Sequence, residues 1–541
     1  MRVSRKGVLP ALPLAAALVL AGCGGGAGKA EDGTVTLYGN DPQNPLIPSN
    51  TQESEGGKIV DAMWSGLLKY NPDTGKAENE MATSITPSEK NTVFDVKFKK
   101  GWKFQDGTEV KADNFIDAWN YAAYAPHAQN DAAFFSDIKG YKDVHPADEK
   151  AKPATDKMSG LQKVNDYEFR VTLSASNVTF KQKLGYNAFY PMPAQFFAAK
   201  DKDQWAKKPV GNGPFEFADY QPSVQTTLRR WDGYAGKDKP AVDKVEFKVY
   251  QSQDAAYRDL ESGNLDFMEM VPPSALVEDK YQKDLDGRTL GGTVMSDQFL
   301  AIPQYRDPAW RNPDLVHGIS MAIDRAQITK QIFNNARKPM DGFVPDSVPG
   351  SAPNACGQYC EYHPQQAKAL VQRSGYRGTI PIQSNADGGH KEWIEAVVNS
   401  VNKALQGTGV SLRFDPVPTF QVLRQQQQSH QLTGMTRGTW NYDFPSPDSE
   451  LAAQYETGGS SNFIDYSNPG FDAKLKQARA ASTEQEAAAD FGAAERLLTA
   501  SMPHIPLWSE QGIAGYSDKI KSVKLNKLKR VADLSSIRLA K

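Results

Sequence analysis

Cysteine is scarce in this 541-residue sequence: there are three, Cys23, Cys356 and Cys360, and only the last two lie in the body of the chain. So few cannot build a disulfide framework or a four-cysteine zinc site. The seven histidines, His127, His145, His317, His363, His390, His430 and His504, are also no substitute, because no two stand at metal-ligand spacing on one helix. Most are expected on the surface or in loops, and no metal or cofactor is expected. An excess of one charge is lacking as well: 62 Lys and Arg stand against 64 Asp and Glu, with no block of like charge. That balance speaks against nucleic acid as a partner. After Cys23 no apolar run approaches the roughly 20 residues that a membrane span requires.

Signatures of catalysis are missing too. There is no G-x-S-x-G elbow, no P-loop and no zinc-protease helix. The segment Gly211-Asn212-Gly213-Pro214-Phe215-Glu216 has two glycines, but Glu216 stands where a dinucleotide fingerprint needs a third, and a strand follows rather than a helix. It reads as a turn. Aspartate and glutamate are plentiful, yet sequence cannot place two of them on one bond. The chain is therefore not expected to be an enzyme.

What is present begins with an export signal: the cations Arg2, Arg5 and Lys6, an apolar stretch from Val8 to Leu20, and small residues before Cys23. Leu20-Ala21-Gly22-Cys23 resembles the lipobox of bacterial lipoproteins, in which the cysteine is acylated. The resemblance implies removal of residues 1–22 and an acylated Cys23 holding the protein on the extracytoplasmic face of the cell membrane. Residues 23–33 then form the lipid anchor and a flexible, glycine-rich tether. In an exported chain the C-x-x-x-C pair Cys356 and Cys360 is expected to form a disulfide rather than a redox or zinc site. Its short loop would contribute about 2 kcal/mol in the chain-entropy model.

The body of the chain is far longer than one core supports, so two or more lobes are expected. Alternating apolar residues predict strands at Phe94-Val96-Phe98, Tyr167-Phe169-Val171-Leu173 and Val245-Phe247-Val249. Phe115, Ala118, Trp119 and Ala122 share one face of a helix, as do Trp393, Ile394, Val397, Val398, Val401 and Leu405. Asp324 with Gln327, and Thr483 with Glu486, have the spacing of capping boxes. Proline and glycine gather at 208–214, 341–353 and 444–468, and the last two stretches read as long loops of the kind that often carry function. The fold class is therefore α/β. With 21 Tyr, 24 Phe and 9 Trp, the chain can line a cleft with rings, although most rings fill cores.

Four segments in order resemble the family 5 solute-binding proteins, the dipeptide- and oligopeptide-binding receptors of ABC transporters. They are Phe98-Lys99-Lys100-Gly101-Trp102 continuing to Gly107-Thr108, Val210-Gly211-Asn212-Gly213-Pro214-Phe215, Met321-Ala322-Ile323-Asp324-Arg325, and Pro503-His504-Ile505-Pro506-Leu507-Trp508. The resemblance implies a two-lobed, periplasmic-binding-protein-like fold of type II with a hinge and an extra subdomain in the first lobe. Lobe I would comprise residues 34–293, with the insertion at about 71–207; lobe II would comprise 294–506, and 507–541 would return to lobe I. The crossings are expected near Val294 to Leu300 and near Ile505 to Gln511. Hinge closure would bury a solute between the lobes.

Arg437-Gly438-Thr439-Trp440-Asn441-Tyr442-Asp443-Phe444 resembles the family's binding loop. By that match Asp443 takes a peptide's α-ammonium and Arg437 a carboxylate, with Trp440 and Tyr442 beside them. Phe134, Phe135 and Tyr141 could line the opposite wall, and the stretch Asn40 to Leu46, with Asn44, could supply a first-lobe contact. The implied function is a lipid-anchored, monomeric receptor that captures peptides, oligopeptides in particular, and delivers them to the permease subunits of an ABC transporter. The same fold also serves nickel complexes, sugars and opines, so a non-peptide solute stays open, as does an exported cell-wall hydrolase. Cys23→Ser is expected to release the protein from membranes, and full retention in a membrane fraction would count against the lipobox. Thiol titration of non-reduced, denatured protein is expected to find neither Cys356 nor Cys360 free.

Overall fold

The structure, a computed structural model, describes residues 33–148 and 150–540. The export segment and Cys23 lie outside these residues. Among the described residues no helix is long and apolar enough to cross a membrane.

An eleven-stranded sheet runs through the whole molecule. Its central pair is Thr289–Ala301 and His504–Tyr516, thirteen residues each and antiparallel from Thr289 opposite Gly515 to Ala301 opposite His504. Beyond one flank lie Met435–Asn441, Gly378–Asn385 and Val410–Val417, the last two parallel in register over eight residues. Beyond the other lie Phe267–Met268, Thr34–Gly39, Lys244–Val249, Gln225–Arg230 and Phe215–Gln221. The segments expected to cross, Val294 to Leu300 and Ile505 to Gln511, both fall in the central pair. The ladder shifts register between Thr293 and Asp297 and again between Gln298 and Phe299. Such bulges bend and twist a strand, here where the sheet passes from one lobe to the other.

Two apolar cores flank this spine. One gathers Val35, Trp119, Phe169, Val245 and Phe267 with the C-terminal Ala514, Ile520 and Ile537. The other gathers Leu300, Ile319, Ile382, Val397, Leu412, Phe491 and Ile505, and it also takes in Tyr257, Leu260 and Leu285. A separate four-stranded sheet, Ala82–Ser88, Val93–Phe98, Glu168–Thr172 and Leu161–Asn165, is covered by the helix Ala112–Ala123. Trp119 of that helix is fully buried, donates Nε1–H to the Phe189 carbonyl at 3.0 Å, and meets Phe169 edge-on.

The alternations at Phe94, Phe169 and Val245 form strands, and the helix Lys391–Ala404 buries Trp393, Ile394, Val397 and Val401. Each capping box forms only in half. Asp324 and Thr483 accept from the N–H groups of Gln327 and Glu486 at 2.9 and 3.2 Å. The reciprocal halves go elsewhere: the Asp324 N–H donates to Ser400 Oγ, and Glu486 accepts from Ser482 instead of Thr483. Two of the seven histidines are inside: His317 is buried and stacks on Tyr359, and His504 stacks on Phe299 and meets Tyr455 at a tilt. An imidazole without its proton is apolar enough for a core, and burial pushes His504 down to about 3.

The glycine turn owes its composition to close approach. A Cβ on Gly211 or Gly213 would strike the Met63 backbone, and the fully buried Asn212 bonds both the N–H and the carbonyl of Ser65 at 3.0 Å. The Met321 to Arg325 segment acts as a clamp on the hinge. Arg325 is buried and donates to the carbonyls of Pro506, Ser320 and Cys360 and to Ser320 Oγ at 2.8 to 3.1 Å. It thus ties a crossing strand to two helical elements and to the Cys356–Cys360 segment, whose sulfurs are at bonding distance. Arg325→Leu would strand several buried carbonyls, and a loss of about 3–5 kcal/mol is expected in denaturant unfolding.

Candidate ligand-binding cleft

The segment that resembles the family's binding loop grows out of the strand Met435–Asn441. Pairing with the crossing strand sets Arg437 opposite Leu300 and Trp440 opposite Asp297. Because side chains alternate along a strand, Arg437, Thr439 and Asn441 share one face and Trp440 takes the other. Arg437, Thr439 and Asn441 line a cavity of about 290 Å³ that also touches Gln253 and Met270 on the first-lobe side and Arg530 near the C-terminus. Trp440 instead packs against the second core, its Nε1 buried without a hydrogen-bond partner.

This cavity is cationic. Among the described residues, Arg337, Arg437 and Arg530 line it with one acid, Glu510. Arg337 pairs with Glu510 at 3.0 Å, and Arg530 pairs with the same carboxylate. Burial pushes the guanidinium of Arg337 down to about 9 and that of Arg530 to about 10. Arg437 bonds Asn385 at 3.0 Å and lies 4.9 Å from the Phe420 ring centre. His390 is held well below the usual histidine range, by burial first and then by the Arg437 and Arg337 cations, so it is neutral. A second cavity of about 110 Å³ shares Gln253, Met270, Asn441 and Arg530 and extends to Tyr38 and Lys529. A third, of about 500 Å³, shares Tyr38, Glu269, Lys529 and Val531 and reaches Tyr70 and Trp64. The three form one run across the hinge.

Asp443 stands just past the end of the strand. Its N–H donates to Ser449 Oγ at 3.0 Å. Burial pushes the carboxyl up to about 7, against hydrogen bonds from Tyr186 and Ser449 and the Lys529 cation, which pull it down. Lys529 is itself paired with Asp61. Tyr442 is buried and donates its hydroxyl to the fully buried Glu450, which holds the loop from behind. The lobes meet around this loop. Thr179 Oγ1 donates to Asp448 at 3.0 Å, the Val178 N–H donates to the Arg479 carbonyl at 2.9 Å, and Lys183 lies over the Phe444 ring.

The remaining site residues fall as follows. Phe135 is fully buried against Trp119 and Phe189, whereas its neighbour Phe134 stacks on Tyr186 at 4.4 Å and touches both cores. Tyr141 stacks on His145 against the first core. Asn44 is half-buried in the loop after the first strand, and Asn40 of that loop donates its N–H to Glu55, a cleft residue, at 3.0 Å. Arg337, Arg530, Lys529, Tyr70 and Tyr186 were not expected in the cleft. They come from segments far apart in sequence, and no local pattern marks them.

Two lobes joined by a bent pair of strands, with a charged cleft across the joint, define a solute-binding protein. The chain belongs to the bacterial extracellular solute-binding proteins, family 5, whose middle region matches residues 76–462. It is 24% identical over 518 residues to the oligopeptide-binding protein OppA of Bacillus subtilis, covering 91% of this chain and 92% of that one. It is also 24% identical over 464 residues to the periplasmic murein peptide-binding protein MppA of Escherichia coli, 83% of each chain. The fold agrees with the structure of the E. coli murein tripeptide binding protein MppA, with TM-score 0.83, 21% identity and coverage of 95% and 99%. It agrees as well with Haemophilus influenzae OppA in complex with RPPGFSPFR, with TM-score 0.81, 19% identity and coverage of 95% and 100%. The family consists of substrate-binding proteins rather than enzymes.

Proposed function

We propose that this protein captures peptides between its lobes, with the α-ammonium at Asp443 and a carboxylate toward Arg437, and presents them to an ABC transporter for import. The observation that carries the reading is the Asp443 carboxyl, half-buried where the lobes meet and pushed up to about 7 by loss of solvent. Such a group favours a ligand that brings a cation and hydrogen-bond donors. The cationic cavity on the other side of Asn441 suits the opposite end of a zwitterion. The names of the relatives support peptide over nickel complex, sugar or opine.

The division into lobe I at 34–293, lobe II at 294–506 and a C-terminal return at 507–541 belongs to the same proposal. It is supported by the crossing strands and by Ile520 and Ile537 in the first core. Within the proposal Cys23 carries the lipid, Cys356 and Cys360 are oxidised to each other, and the permease subunits are the protein partners. Tyr442 acts through Glu450 on the shape of the loop, and Phe135 acts through its neighbour Phe134.

Native mass spectrometry of the protein as purified is expected to show a retained species of peptide mass. For such a peptide, Asp443→Ala is expected to cost about 3–5 kcal/mol, more than a hundredfold in affinity by calorimetry. An ammonium requires the ionised carboxylate, so parent affinity should fall about tenfold for each pH unit below about 7. N-acetylation of the peptide should weaken binding comparably and remove this pH dependence. Equal affinity for the acetylated peptide, or for the Asp443→Ala variant, would exclude amine recognition at this residue.

A further inference from the structure

The first lobe holds a buried carboxylate that nothing among the described residues neutralises. Asp131 precedes the 3-10 helix Ala132–Phe135 and is 0% exposed, and neither Oδ1 nor Oδ2 has a hydrogen-bond partner. Its backbone is fully engaged: the N–H donates to the Ser49 carbonyl and the carbonyl accepts from Phe134, both at 3.0 Å. The neighbouring Gln52 amide donates to the Asn130 carbonyl at 2.7 Å and offsets the burial of Asp131 only in part. Among the described residues no lysine or arginine compensates it. An ionised carboxylate in such surroundings is costly, and a fold keeps one where a partner arrives or where it stays neutral.

Its neighbours place Asp131 at the junction of the lobes. Phe134, which donates to it, stacks on Tyr186 and packs on both cores. Tyr186 is raised by burial, then by Asp131 and by Asp443, so it stands near both acids. Asp131 is raised by burial first and by Asp443 next. Next to Tyr186, Asn187 Oδ1 is a further buried acceptor without a donor, while its amide nitrogen donates to the Thr51 carbonyl at 3.2 Å. The first lobe thus gathers three buried acceptor atoms without donors near Tyr186, two of them on a carboxylate close enough to Asp443 of the second lobe to feel its charge. The complement of that set is a small cation with several N–H donors.

We infer that Asp131 is the first lobe's half of the amine subsite, so that one α-ammonium is shared between Asp131 of lobe I and Asp443 of lobe II. The inference rests on amine recognition by Asp443 and adds what it lacks, a matching charge on the other lobe. An ammonium has three donors and can reach both carboxyls at once. Without it, burial and mutual repulsion resist ionisation of the two carboxyls; with it, both can ionise and draw the lobes together. Closure then depends on a free amine, which would let the receptor ignore amine-free solutes of similar size.

The test uses the full exported protein with a random-sequence pentapeptide mixture and its N-acetylated counterpart, read by native mass spectrometry, followed by calorimetry with one retained peptide. Asp131→Asn is expected to lower affinity tenfold or more for the free-amine peptide. The same variant, free of ligand, should melt at or above the parent temperature, because a buried carboxyl without hydrogen-bond partners has been replaced by a group that cannot ionise. A purely structural residue would move both readouts downward. Asp131→Ala should repeat the affinity loss. Unchanged affinity in both variants, while the parent retains peptides, overturns the role of Asp131 alone. A lowered melting temperature, with equal losses for free and acetylated peptide, overturns it as well. Retention of no peptide by the parent overturns this inference together with the peptide reading.

Discussion

The antiparallel ladder between Thr289–Ala301 and His504–Tyr516 is the constraint on which both lobes depend. The two flanks of the main sheet are joined through this pair, so the two lobes share one hydrogen-bonded backbone. Pairing also decides the chemistry on each side. Gln298 lines the cleft, where its Oε1 accepts from Trp508 at 2.7 Å and from Arg337, whereas Asp297, one residue earlier, takes the opposite face of the strand. A ladder with two register shifts is both continuous and bent, which suits a joint between rigid bodies.

Charge is distributed unevenly along the cleft. The arginine end has its own counter-ion in Glu510. The Asp443 end is built from acids and ring hydroxyls, with Lys529 as the nearby cation, itself shared with Asp61. Behind the binding loop, Glu450 is pushed up by burial and by Asp297, and it accepts from Tyr442. Buried charge of this kind contributes little to stability and is expensive to leave unmatched. It becomes favourable when a zwitterion lies along the cleft with its poles in the matching order.

The local patterns were legible where one element sufficed. Alternation at Phe94, Phe169 and Val245 yields strands because a half-buried strand repeats every two residues. The caps at Asp324 and Thr483 form because the first turn of a helix needs acceptors nearby, but their second halves depend on Ser400 and Ser482, which compete for the same groups. Among the rings the limit is sharper. Phe134 and Phe135 are adjacent and chemically alike, yet one touches both lobes and the other fills a core. Only the turn that carries them decides which points where.

The order of four short segments in the sequence identified the family, and with it the two-lobed α/β fold, because turns, caps and close backbone approaches need particular residues at particular spacings. Gly211, Gly213 and Arg325 illustrate this: each is required by contacts that its own segment always makes. The membership of the cleft was decided by tertiary structure. Tyr186, Arg337, Lys529 and Arg530 lie hundreds of residues apart in the extreme cases, and none differs in its local sequence from a surface residue. Burial and the field of distant charges give them their character. Those quantities exist only once the two lobes have been brought together by the crossing strands.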